Sequence, residues 1–300
     1  MLNGTEELVS YIFTVLEEKY NIRIDDVPGK VLRNIVSELR ELEPRTDIVE
    51  RYVTQILVPD LNKKYFDNVR KYGKMFGWGQ VERQIHFMLG RQLSQLGYTV
   101  HMKPIVYSTP VDLVIEQYGR YLPVILCLGK THMKIATYKW NKLKNLGIVS
   151  YLVEVDRRNW KEGKLLNVID VQDLEEHFER FSKYRLEMKV NQCEQNLYEI
   201  WRKYVDRGYL ALRNYIEGNT VYDLLLVGFS KIGVKKIRKI SPNNYNIISR
   251  TVRKIVKALK MGSIDKAIIL TPFTLFDKIV TEVRKQVPYW LNTEISIRPF

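Results

Sequence analysis

The chain has 300 residues, 45% of them hydrophobic, with 48 Lys/Arg against 34 Asp/Glu for a formal charge of +14. This is a folded globular composition with room for two or three domains. Two cysteines exclude a disulfide scaffold or a cysteine-rich zinc site, and no apolar run approaches the length of a membrane-spanning helix. The N-terminus has no basic region followed by an apolar run, so no signal peptide is read and the cytoplasm is the expected compartment. The charge is uneven. Residues 1–60 hold seven Lys/Arg and twelve Asp/Glu, a net of −5, which leaves +19 on the other 240. A basic surface of this kind favours a polyanion such as DNA or RNA.

The first 75 residues read as a small helical domain. Leu8, Ile12, Val15 and Leu16 give residues 4–20 a helical stripe, and Leu32, Ile35, Val36 and Leu39 give a second helix after Pro28. Thr46-Asp47 can cap a third helix through Ile48, Tyr52 and Ile56. Pro59-Asp60 is expected to break it, with a further helix over 61–72. This acidic domain is either a structural cap or a bundle that binds a protein partner or DNA, and no recognition helix stands out. Gly73, Gly77 and Gly79 mark a boundary.

A helix over 80–96 follows, burying Val81, Ile85, Met88, Leu89, Leu93 and Leu96. Strands are expected at Tyr98–Met102, Val111–Ile115 and Leu122–Leu128, the last two joined by a turn at Tyr118-Gly119-Arg120. A helix over 132–145, a strand at Val149–Val153, a strand within Leu166–Val171 and a helix from Asp173 to Phe181 complete this part. Then come a helix over 194–206, a strand at 223–227, a basic strand near Val234–Ile240, a helix over 247–260 and a strand at Ala267–Leu270. A helix over 274–286 and a short strand at Ile295–Ile297 end the chain.

Two stretches of this order read as one unit written twice. Glu82 stands 15 positions before Gly97-Tyr98, and Glu194 stands 14 before Gly208-Tyr209. An aspartate then opens an apolar strand in each, Asp112 before Leu113-Val114-Ile115 and Asp223 before Leu224-Leu225-Leu226. Internal repetition of this kind bears on the whole fold. The expected domains are 1–75, 76–182 and 183–300.

Helix, strand with an early acid, hairpin, strand ending in lysine, helix and strand resembles the PD-(D/E)xK, or restriction-endonuclease-like, nuclease superfamily over Gln80–Val155. The resemblance is weaker over Cys193–Leu270. It implies an α/β fold of tandem restriction-endonuclease-like domains, each a mixed sheet flanked by helices, behind the N-terminal helical domain. In that family a helix glutamate, a strand aspartate and a Glu-x-Lys surround divalent metal. The resemblance assigns Glu82 and Asp112 as ligands of Mg²⁺ or Mn²⁺ and Lys130 as the motif lysine; outside it no cofactor is implied. Pro110-Val111-Asp112 departs by one inserted residue, and Leu128 stands where the motif glutamate belongs. Leucine supplies no oxygen, and Mg²⁺ requires oxygen ligands to activate water against a phosphodiester. Glu116 lies about 13 Å along the strand from Asp112, too far to share its ion. In the second stretch Glu194 and Asp223 remain, with no Glu-x-Lys.

Basic residues concentrate around these elements. Residues 231–260 contain ten positive residues and no acid. Lys235, Lys236, Arg238, Lys239, Arg250, Arg253, Lys254 and Lys257 in this tract are candidate phosphate contacts, with Lys134, Lys139 and Lys142 a smaller set. Arg250, Arg253, Lys254 and Lys257 share one helical face by spacing. The sequence therefore supports two functions. The first is a nucleic-acid-binding protein, duplex DNA being the expected partner, that retains Mg²⁺-dependent cleavage in its first nuclease-like domain or has lost it. The second is a non-catalytic structural or protein-interaction protein on a degenerate nuclease fold.

Overall fold

The structure is a computed structural model and describes residues 4–42, 45–155, 171–181, 186–237 and 245–300. The helices in chain order are α1 (Thr5–Tyr20), α2 (Gly29–Glu41), α3 (Thr46–Tyr52), α4 (Val58–Gly73), α5 (Trp78–Gln95), α6 (Gly129–Asn145), α7 (Val171–Phe181), α8 (Gln192–Val205), α9 (Tyr245–Lys260) and α10 (Phe276–Gln286). The first strands are β1 (Thr99–Met102), β2 (Ile105–Val106), β3 (Thr109–Pro110), β4 (Leu113–Gln117), β5 (Arg120–Leu128), β6 (Tyr151–Val155) and β7 (Met188–Lys189). The second set is β8 (Leu210–Glu217), β9 (Thr220–Val227), β10 (Lys231–Lys236), β11 (Lys266–Thr271) and β12 (Ile295–Pro299). The architecture is α/β, an N-terminal helical region followed by mixed sheets flanked by helices. The expected strand within Leu166–Val171 lies mostly outside the described residues. No described helix is long and apolar enough to cross a membrane.

The chain forms two units, one from Met1–Met75 with Tyr204–Phe300 and the other from Phe76–Lys203. In the first, Leu8, Ile12, Val15, Leu16, Ile35 and Leu39 pack with Val49, Val53, Leu57 and Leu61. Pro59 does not break the helical path as expected. A π-helical turn over Val53–Leu57 runs into α4, and Pro59 falls in its first turn, where its missing N–H is tolerated. Hydrogen bonds tie this region to residues 204–300 of the same unit. Asp26, 2% exposed, accepts from Tyr209 Oη at 3.0 Å and lies 3.7 Å from Arg207 Nη1. Lys266 Nζ donates to the Asp25 carbonyl at 2.9 Å, and Tyr72 Oη donates to Glu217 at 2.6 Å.

The sheet of this unit has the order β12-β11-β10-β9-β8. β8, β9 and β10 pair antiparallel, and β10, β11 and β12 pair parallel. The sheet of the other unit has the order β1-β4-β5-β6. β1, β4 and β5 pair antiparallel, and β5 pairs parallel with β6. The first four strands of each sheet, in chain order, therefore have the same neighbours and the same relative sense. β4 and β5 meet through Tyr118 (φ 52°) and Gly119 (φ 73°), a two-residue turn whose positive φ values suit the twist of a hairpin.

Side-chain alternation sorts the layers of the Phe76–Lys203 unit. Val114, Ile125 and Cys127 pack with Ala136 and Leu143 of α6 on one face. α5 covers the opposite face, where Gly90 sits against Met102 and Val100. α5 also pairs with α8. Trp201 Nε1 donates to Gln84 Oε1 at 2.8 Å, and the Phe87 and Tyr198 rings lie 5.5 Å apart.

Candidate functional site

Asp112 sits in the bend that leads into β4, one residue past the Met102–Leu113 pair. Its main chain is committed on both sides: its N–H donates to Val124 O at 3.2 Å and its carbonyl accepts from Lys103 N at 3.0 Å. Its Oδ2 accepts the Leu126 N–H of β5 at 3.0 Å. Regular pairing between β4 and β5 has ended there, so the carboxylate takes the place of the missing ladder carbonyl. Asp223 has the same role in the other sheet. Its Oδ2 accepts the Lys236 N–H of β10 at 2.9 Å, beyond the last β9–β10 pair at Leu224–Val234.

Both carboxylates are charge-balanced by lysine. Lys139 Nζ of α6 lies 3.5 Å from Asp112 Oδ2. Lys235 Nζ and Lys236 Nζ lie 3.3 and 3.8 Å from Asp223. Three of the basic residues expected on a phosphate-binding surface thus contact aspartates. Among the described residues no group of three or more His, Cys, Asp or Glu side chains comes together to hold a metal.

The other expected catalytic residues lie apart in the layers. Glu82 is half-buried near the start of α5. That helix covers the Val100 and Met102 face, while Lys139 approaches Asp112 from α6 on the other. Lys130 lies in the first turn of α6, and its side chain is outside what the structure describes. Leu128 ends β5. The strand there reads Val124, Ile125, Leu126, Cys127 and Leu128, so neither face opposite Asp112 offers an acid or a lysine. Glu194 is buried in the first turn of α8, its N–H capped by Asn191 Oδ1 at 3.2 Å and its Oε2 3.9 Å from His86 Nε2 of α5. It serves the helix pair of its own unit.

The basic residues divide by exposure. Ile248, Val252, Ile255, Val256 and Leu259 bury one face of α9, and Arg250, Arg253, Lys254, Lys257 and Lys260 occupy the exposed one. Glu282 of α10 is the acid near this stripe. Hydrogen bonds from Ser249 and Gln286 hold it below the usual carboxylate range, and the charges of Lys285 and Arg253 add to this. α6 is used differently: Lys134 is exposed, while Lys142 donates to Ser108 O at 3.2 Å. Arg238 and Lys239 lie outside the described residues. The lysine partners of the aspartates were missed in the sequence because Lys139 is 27 positions from Asp112, and no helix-face count links them. No protein-family model, no curated protein and no solved structure matches this chain.

Proposed function

We propose that the chain is a non-catalytic interaction protein that uses a duplicated nuclease-like α/β arrangement as a scaffold. The shared strand order and sense of the two sheets supports the duplication. So does an aspartate in each that accepts a main-chain N–H from the third strand. One observation carries the non-catalytic reading: both aspartates are ion-paired with lysine, and the strand opposite Asp112 is apolar from Val124 to Leu128. Among the described residues no group of three or more His, Cys, Asp or Glu gathers the oxygen donors with which Mg²⁺ polarises a phosphate. The test is incubation of the purified protein with supercoiled, linear and branched DNA in Mg²⁺ or Mn²⁺. The expected result is no cleavage; metal-dependent cleavage abolished by Asp112→Asn overturns the proposal.

The exposed basic face of α9 favours a second reading, in which the partner is nucleic acid. Four or five cations on one side of a helix contact phosphates without reading sequence. Duplex DNA binding that weakens steeply with salt supports it. Binding insensitive to salt removes it.

A further inference from the structure

A cavity of about 480 Å³ lies within the unit of residues 1–75 and 204–300, lined in part by Gly29, Lys30, Arg33, Lys260, Trp290 and Glu294. Glu294 is only 5% exposed, and its Oε1 has no hydrogen-bond partner among the described residues. Burial pushes this carboxyl above the usual range, with Lys266, Arg33 and the Gly29 N–H pulling the other way. A Cβ on residue 29 would come within 1.7 Å of Oε1, so glycine makes room for the carboxylate. Arg33 Nη1 lies 3.6 Å from Oε1 and donates to Trp290 O at 3.0 Å. Its side chain is 44% exposed. The Trp290 side chain is largely open to solvent, and Lys30 and Lys260 stand exposed on the rim.

A buried acceptor without a donor is unfavourable until something donates to it. Here it shares a nucleotide-sized cavity with an open indole and exposed ammonium groups. We propose that this cavity binds an adenine nucleotide, with the ring on Trp290, the exocyclic amine donating to Glu294 Oε1, and the phosphate held by Lys30 and Lys260. Stacking on an aromatic plane is sequence-tolerant, so the acid supplies the choice of base. Oε1 has no hydrogen bond and only the Arg33 ion pair at 3.6 Å, which matches the single amine of adenine better than the N1/N2 fork of guanine, which needs both oxygens. Lysine provides point charges suited to phosphate. This inference is independent of the non-catalytic reading, because it uses neither aspartate; it shares only Lys260 with α9's exposed stripe.

The test is calorimetric titration with adenosine monophosphate, purine riboside monophosphate (which lacks the amine) and inorganic phosphate. Adenosine monophosphate is expected to bind in the micromolar to millimolar range, roughly tenfold tighter than purine riboside monophosphate for one hydrogen bond to a charged acceptor. Trp290→Ala is expected to weaken it about tenfold or more, with an unchanged circular-dichroism spectrum. Lys30→Ala, on the exposed rim, should weaken it by a smaller factor. Equal binding of the two nucleotides overturns the proposal. So does binding of phosphate alone as tight as the nucleotide, binding unaffected by Trp290→Ala, or no saturation by adenosine monophosphate at millimolar concentration.

Discussion

The sheet around Asp112 and the sheet around Asp223 share a strand order, yet they use their lysines in opposite ways. Around Asp112 the ammonium comes from a helix, through Lys139 of α6, and Lys142 of the same helix is committed to Ser108 O. Around Asp223 the ammonium groups come from the neighbouring strand, through Lys235 and Lys236, and the following helix α9 leaves its basic face in water. Similar sequence density of lysine therefore means internal charge balance in one place and display in another. Charge counts locate neither use; only the register of the third strand and the face of the helix do.

The largest expected effect separates the two aspartates. Asp223→Ala leaves Lys235 and the nearly buried Lys236 side by side and removes the acceptor of a main-chain N–H. It should cost about 3 kcal/mol, and Asp112→Ala only about 1–2 kcal/mol because Lys139 can turn to water. Urea unfolding of both variants measures the difference, and an equal or reversed order breaks the comparison.

Alkaline pH probes the unit of Asp223 next. Burial pushes Tyr222 of β9 and Tyr204 up to about 12, with the nearby acids contributing. A tyrosine with a raised folded pKa contributes stability that is complete below pH 10 and lost as pH rises toward 12. Tyr222→Phe should recover about 2 kcal/mol of that alkaline loss, read from unfolding midpoints at pH 9 and pH 11.5. An unchanged pH slope would show that the phenol is not the group responsible.

Glycine positions give a smaller contrast. A Cβ on Gly233 of β10 meets the Tyr222 ring at 2.4 Å, whereas one on Gly90 of α5 meets the terminal methyl of Met102 at 2.1 Å. Both side chains are fully buried, but the ring is a rigid plane and the methyl ends a flexible side chain. Gly233→Ala should therefore cost about 1–3 kcal/mol and Gly90→Ala less than about 1 kcal/mol, because helix propensity offsets the shift of Met102. Thermal melts of the two proteins decide this.

The smallest effect is on binding rather than stability. Charge reversal at Lys254 and Lys257 should lower the salt slope of any duplex DNA binding by about 2, while Lys142→Ala leaves it unchanged. A slope that responds to Lys142 and not to α9 would place the phosphate-binding surface on the other helix.

Much of the fold was legible because periodicity reports burial. The stripes of α1 and α2 and the apolar runs of β5 and β11 announce themselves. The strand Leu210–Glu217 was not anticipated: Arg213, Asn214 and Glu217 interrupt its apolar pattern, and it is defined by pairing with β9. Pro59 misled for a similar reason, since a π-helical turn absorbs what local rules forbid. The site was less legible. The sequence names the acids, but which cation neutralises each depends on contacts 12 to 27 positions away.

One consequence of the chain order concerns synthesis on the ribosome. The N-terminal helices emerge first, while their unit is completed only by residues 204–300. At ~5–20 residues per second, roughly 10–45 s separate the release of Met75 from that of Phe300. Throughout most of this interval Asp26 has neither Tyr209 nor Arg207 beside it, and the Asp25 carbonyl has no Lys266. The nascent protein thus carries an acidic, incompletely docked head, and its unit closes only once the strands of residues 204–300 have left the exit tunnel.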